Sequence, residues 1–283
     1  MDTSTARKAK NALEAAHAMI YFCPEAAERF ADLGLEKGRM SYFAGRAAPM
    51  GAVGPGVVAA TFYNFNPEAV AAEIPRAWSI ASPADVIAAR FDAAGAALRR
   101  MLGDEVTGSE QVAEAARLAR EAASACAPDG KPLYAAHADL EWPEPAHVQL
   151  WHAISLLREF RGDAHIAALQ DGGLSGLEAV VLQVLSGEGL NEQFSKASRG
   201  WSDQQWEDAR EGLRARGLVD GGGVSEKGAA LREEIERATD AMSMAPWEHL
   251  GAAELERLTG TGAELSRSLL KAGAFPASAF GRD

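Results

Sequence analysis

The chain is poor in several features that would each point to a class of protein. Two of its 283 residues are cysteines, Cys23 and Cys126, far apart and in no CxxC pair. That excludes a disulfide-stapled framework and a zinc-ribbon or dithiol redox motif, and two buried, reduced thiols are the expected state. Cations are scarce: 28 Lys and Arg stand against 40 Asp and Glu, a net charge of -12. Such a chain is a poor partner for anionic membrane surfaces or for nucleic acid bound without sequence preference. No apolar run reaches the ~20 residues that a membrane span needs. The opening MDTSTARKAKNALEAAHAMIYF also lacks the uninterrupted apolar stretch of a signal peptide. The expectation is a cytoplasmic protein with no membrane partner. GxSxG, the P-loop, GxGxxG and HExxH are all missing, so no hydrolase, nucleotide-binding or zinc-protease signature is legible.

What the chain does have is 47% hydrophobic residues, enough for a real core, and alanine-rich helical periodicity with almost no strand alternation. The length suits one large domain or two ordinary ones. Residues 8–33 read as two helices, the second starting at Pro24, with Gly34 or Gly38 ending the pair. A short helix at 39–47, a Gly/Pro turn at 48–56 and a helix at 56–64 follow. Asn66-Pro67 and Ser82-Pro83 each read as an N-cap and first helical residue. A further helix follows in SEQVAEAARLAREAASAC. The stretch APDGKPLYAAHADLEWPEPAH is the linker candidate, although Tyr134 and Trp142 give it something to pack with. The expected organisation is a helical domain over 1–130, a linker and long helix over 131–173, a third unit over 174–245 and a C-terminal helical segment over 246–283.

The long helix, AHVQLWHAISLLREFRGDAHIAAL, carries a polar stripe. At about 100° per residue, Trp151, Ile154, Arg158, Arg161 and His165 fall within roughly 40° of His147. Leu150, Ala153, Leu157, Phe160, Ala164 and Ala168 form the neighbouring apolar face. Gln149, Glu159, Asp163 and His152 lie on the far side. The stripe therefore borders the core. Three roles fit it: salt bridges to carboxylates of the front half, arginines gripping an anionic or aromatic ligand, or histidine ligation of a metal or haem. The last is weak in spacing, because His147 and His152 are five apart rather than four, and His137 and Asp139 would have to fold back to join them; no metal site is predicted. A second cluster lies in the front half. Tyr42 and Arg46 share a helical face, Tyr63 and Asn64 lie in TFYNFNP, Trp78 follows, and Arg90 lies on the next helix. Aromatic walls with a few polar groups make a ligand pocket or an ordinary core. Tyr42, Tyr63 and the histidines are the acid–base candidates, and no cofactor is identified.

The second half has a different order. Helix LSGLEAVVLQVLSG and helix WSDQQWEDAREGLRARGL, the latter capped by Ser202, lead through RGLV and DGGG to VSEKGAAL and another helix. This order resembles the winged-helix domain of the MarR class of regulators over residues 174–240, which implies a mainly α fold with a minimal β wing and a DNA-reading helix. The local charge opposes that function. Between 191 and 228 the six cations Lys196, Arg199, Arg210, Arg214, Arg216 and Lys227 meet seven carboxylates, Glu192, Asp203, Glu207, Asp208, Glu211, Asp220 and Glu226. Phosphate contacts by Lys and Arg dominate DNA affinity, and the wing tip carries none. Asp203 and Glu207 also flank Gln204 and Gln205, the residues suited to adenine edges.

Taken together, YFAGRAAPMG, ATFYNFNP and LWHAISLLREFRGDAHIAAL with the winged-helix stretch resemble an actinobacterial family of helix-turn-helix proteins. The resemblance spans nearly the whole chain. It implies a helical front half joined to a winged-helix half and carries no catalytic residues. The expected function is a small-molecule-binding protein on a repurposed winged-helix scaffold, with its pocket between the front half and the long helix 146–169. Tyr42, Arg46, Tyr63, Asn64, Trp78, His147, Trp151, Arg158, Arg161 and His165 are its candidate ligand-binding residues. The alternatives are an enzyme using Tyr and His acid–base groups or a His-bound cofactor on a small anionic or aromatic metabolite, and a MarR-like DNA-binding regulator. A homodimer is a candidate assembly.

Overall fold

A computed structural model describes residues 1–280. In the front half the helices are α1 (Ser4–Ala18), α2 (Pro24–Asp32), α3 (Arg39–Ala47), α4 (Pro55–Phe62), α5 (Pro67–Ile80) and α6 (Pro83–Leu102), then α7 (Asp104–Thr107), α8 (Glu110–Ala123) and α9 (Pro132–Ala138). Helix α10 (Ala146–Asp171) is the long central helix. After it come α11 (Gly176–Leu185), α12 (Glu192–Arg199) and α13 (Asp203–Ala215). Strands β1 (Val219–Asp220) and β2 (Gly223–Val224) precede α14 (Glu226–Met242), α15 (Ala245–Leu250), α16 (Ala252–Lys271) and α17 (Ala277–Phe280). The fold is mainly α, and among the described residues its only sheet is the antiparallel pair Val219↔Val224 and Asp220↔Gly223.

Local chemistry sets many of these boundaries. Asn66 accepts from the Glu68 N–H and Ser82 from the Asp85 N–H, each just ahead of a proline at the first helical position. Ser175 with Glu178, and Ser202 with Gln205, form reciprocal capping boxes. The hairpin turns through Gly221 and Gly222, at φ 46 and 94. Positive φ at both central residues suits a two-residue hairpin and disfavours any side chain with a Cβ.

The largest core joins α1, α2, α6 and α8 to the first half of α10, and it takes in α15 and α16 as well. The C-terminal segment thus returns to the front half: Ser266 donates to the Ala12 carbonyl at 2.7 Å, and Gly262 lies against Leu13. A second core gathers Phe43, Phe62, Phe65, Val70, Ile74 and Leu133. A third joins the end of α10 (Ala168, Leu169) to α11, α13, the hairpin and α14. Helix α10 therefore belongs to two cores, one at each end.

Two expectations need correction. The stretch read as a linker carries α9, which is fixed to the central helix because the Leu133 and Tyr134 N–H groups donate to Asp163 Oδ2 at 3.0 and 2.9 Å. The far side of α10 is also not a solvent face. Glu159, Asp163 and His152 are all buried, and only Gln149 is half-exposed. Helices on several sides remove the solvent face that an amphipathic projection assumes.

Candidate functional site

Two regions carry polar groups that the fold does not fully explain. The first is a buried cluster where α1, α3, α6 and α9 meet α10. Arg46 on α3 grips Glu159 with two parallel bonds, Nε to Oε1 at 3.0 Å and Nη2 to Oε2 at 2.7 Å. Arg158 adds a third bond to Oε2 at 2.8 Å. Burial alone would raise the Glu159 carboxyl, but the Arg158 and Arg46 guanidiniums overrule it and hold it well below the usual carboxylate range. Arg46 also lies 4.5 Å over the Phe62 ring.

Around this triad the histidines are neutral and their tautomers follow from their partners. Ser155 Oγ donates to the Trp151 carbonyl at 2.8 Å, so it accepts from His17 Nδ1–H at 2.9 Å. His17 Nε2 is then the acceptor for the Tyr21 hydroxyl at 3.0 Å. This relay is closed: each proton is already spent, so Ser155 is not poised as a nucleophile with His17 as its base. His137 Nδ1–H donates to the Leu133 carbonyl at 2.8 Å, which leaves Nε2 to accept from Arg90 Nη1 at 3.0 Å. Burial pushes His17 well below its ordinary value, His137 to about 3 and His152 to about 4. Burial also lifts Asp163 to about 6.

The ten residues expected to line one pocket are distributed over several places. Tyr42, Arg46 and Arg158 sit at the Glu159 cluster, with Tyr42 packed among the Tyr21, Phe43, Phe62 and Phe65 rings. Trp78 stands apart and donates to the Val53 carbonyl at 2.9 Å. His147 and Trp151 line a small apolar cavity with Leu98, Leu150 and Leu269, and burial lowers His147. Arg161 bonds Glu236 at 2.9 Å and Asp240 at 2.6 Å, and His165 donates to Thr239 Oγ1 at 3.0 Å, both on α14. The stripe therefore meets the apolar cavity, the Glu159 cluster and α14 in turn. A pocket of ordinary ligand size does not open along it. Two cavities adjoin α10, and each has free space on the order of one water molecule. Three residues of the second cavity that were not among the ten, Arg90, His137 and His152, hold the more unusual chemistry. Their signal in the sequence was faint, because nothing in the spacing of α6 and α9 tells that Arg90 and His137 meet.

The second region is the turn between α12 and α13. Tyr63 has φ 56 and ψ -53, and the Asn64 N–H donates to the Phe62 carbonyl at 2.6 Å. That is a three-residue turn of the rare, strained hand. It aims the following backbone at the turn of the helix pair. Trp201 Nε1 donates to the Asn64 carbonyl at 3.0 Å, and Asn66 Nδ2 donates to the Gly200 carbonyl at 2.9 Å. The Asn66 N–H reaches the Arg199 carbonyl at 3.0 Å, and the Tyr63 hydroxyl reaches the Leu174 carbonyl at 2.6 Å. The approach is so close that a Cβ on Gly176 would stand 1.9 Å from the Tyr63 oxygen.

The outer surface of this region is self-neutralised. Lys196 pairs with Glu192 and Asp203, Arg210 with Glu192, Arg214 with Glu211, and Arg216 with Glu178. Arg199 lies half-buried over Phe65, and Lys227 donates to the Arg216 carbonyl. Asp203, Gln204, Glu207 and Asp208 are exposed on the first turns of α13.

Among the described residues, no helix is long and apolar enough to cross a membrane, and no group of three or more His, Cys, Asp or Glu is arranged to hold a metal ion. The sequence model of a helix-turn-helix family matches residues 6–276. No curated protein and no solved structure matches the chain.

Proposed function

The chain belongs to this helix-turn-helix family, and on that premise we propose that it is a small-ligand-responsive winged-helix protein. The front half and α10 form the ligand-holding core. Residues 174–242 form the output element, a winged helix of the MarR type whose second helix is α13. The observation that carries the reading is the contact of loop 63–66 with the Gly200–Trp201 turn, because it ties the core directly to the turn of the helix pair. In helix-turn-helix proteins the first residues of the second helix reach base edges. Here those residues stand beside Asn66 and carry exposed carboxylates. In this arrangement the helix pair presents no unpaired cation row to phosphates.

The experiment is a titration of the full chain with mixed-sequence duplex DNA by fluorescence anisotropy at several salt concentrations, run beside hydrogen exchange across a panel of small acids and anions. The expected outcome is no salt-dependent DNA binding by the chain alone. One class of anion should slow exchange both in α10 and at residues 200–205. DNA binding with a steep salt slope, and no response to any anion, would replace this reading with that of a regulator that reads DNA without a ligand. The helix order and the hairpin support that second reading.

A further inference from the structure

The cavity between α6, α9 and α10 is lined by Arg90, His137, Trp151, His152 and Ser155 together with the apolar Ile87, Phe91 and Leu140. Arg90 is 5% exposed and His152 is 1% exposed. Among the described residues, Arg90 Nη2 and His152 Nε2 are both buried without a hydrogen-bond partner. The other terminal nitrogen of Arg90 is committed to His137, and its guanidinium lies 5.1 Å over the Trp151 ring. No carboxylate bonds it: Glu159 is held by Arg46 and Arg158 and attracts Arg90 only from a distance. Three guanidiniums therefore gather around one carboxylate. A buried guanidinium stays charged, and a buried charge left uncompensated is strongly destabilising. His17, His137 and His152 are neutral and supply no counter-charge.

We propose that this cavity is a binding site for a small monovalent anion, held by Arg90 Nη2 and by the Nε2–H tautomer of His152 beside the Trp151 ring. Both unpartnered groups belong to side chains that line this one cavity, and charge-assisted bonds from a guanidinium are among the stronger ones. The size of the space selects the class. Room on the order of one water suits a halide, puts formate at the upper limit and rejects sulfate, phosphate and aromatic acids. The inference names the ligand class of the core proposed above and rests on that reading. Its test is read in the core alone, so a failure here is separate from the DNA titration that judges the output element.

The test uses the full chain exchanged into sodium gluconate. Sodium chloride, bromide, formate and sulfate are titrated against gluconate at constant ionic strength while thermal unfolding is followed. The expected result is a saturable rise in Tm, about 5 °C at ~100-fold excess over Kd, with chloride and bromide or with formate, and no saturable rise with sulfate. Response to halides alone assigns a halide; response to formate alone assigns a small carboxylate. Arg90→Met removes the unpaired charge but also the donor to His137 Nε2, so its own Tm in gluconate is the baseline, and from that baseline it should lose the saturable rise. His152→Leu should weaken the anion at least ~10-fold. Bromide soaked into crystals should give an anomalous peak beside the Arg90 guanidinium. A rise that does not saturate and is equal in the wild type and in Arg90→Met would overturn the proposal. So would bromide peaks on the surface with none in the cavity.

Discussion

The two ends of the central helix treat charge in opposite ways. Between residues 152 and 163 α10 turns His152, Glu159 and Asp163 inward and meets guanidiniums from α3 and α6, so the charges are dry and few. Beyond its other end, α12 and α13 place Lys196, Arg210 and Arg214 on the surface, each against a neighbouring carboxylate. The same residue types do different work. Buried, a pair specifies geometry and becomes costly when broken. Exposed, it contributes little to stability but cancels the field that would attract a polyanion.

The sharpest way to break this contrast is to remove one carboxylate from each end. Glu159→Gln leaves Arg46 and Arg158 without their counter-charge and is expected to cost about 3–5 kcal/mol in urea unfolding. Glu192→Gln, at a surface pair, is expected to cost about 0–1 kcal/mol. The double variant Glu159→Gln with Arg46→Met should regain more than half of the loss, which separates pairing from mere packing. Equal costs at the two ends would dissolve the distinction.

Acid should act at least as strongly, and through the buried histidines around the first part of α10. His17, His137 and His152 are buried and neutral in the folded chain but titrate near 6.5 when unfolded. Their contribution to stability is intact above about pH 6.5. It falls by about 1.4 kcal/mol per pH unit for each group as the pH drops toward the folded values. Asp163 works the other way. With a folded value of about 6, it takes up a proton on folding between about pH 6 and 4, so it recovers part of the loss. For these four groups together the expectation is roughly 3 kcal/mol lost per pH unit between pH 6 and 4, followed by unfolding monitored through tryptophan fluorescence. Stability flat across that window would mean that these histidines are not held neutral.

Smaller effects belong to the junction. Asn66→Ala removes the cap of α5 and the bond to the Gly200 carbonyl, for about 1–2 kcal/mol. It should speed hydrogen exchange at 200–205 while leaving 150–160 unchanged. Uniform acceleration would show that the largest core and the core at the far end of α10 open together. The smallest change is expected at the hairpin. Gly222→Ala must accept φ 94, costing about 1 kcal/mol, and far-UV circular dichroism should be unaltered.

The helical class, the caps at Asn66, Ser82 and Ser202 and the hairpin at DGGG were legible because each depends on residues within a few positions of one another. The face of α10 was not. A projection of one helix finds the solvent side only if there is one, and α10 has neighbours from α1, α6, α8, α9 and α14. The candidate site was half legible for the same reason. Arg46 and Arg158 stood out as cations in apolar surroundings. That they converge on Glu159, and that Arg90 meets His137, rests on contacts 113 and 47 residues apart in the chain.

The sequence by itself determined the local geometry: which segments wind into helices, where they stop, and that the surface of α12 and α13 carries balanced charge. These follow from backbone hydrogen bonding and side-chain chemistry over a few residues. Only the tertiary structure decided which charges are buried, which partner each one has, and that Arg90 is left without a carboxylate. Burial and long-range pairing are properties of the packed chain, and the desolvation that gives a charge its meaning exists only once the helices have closed around it.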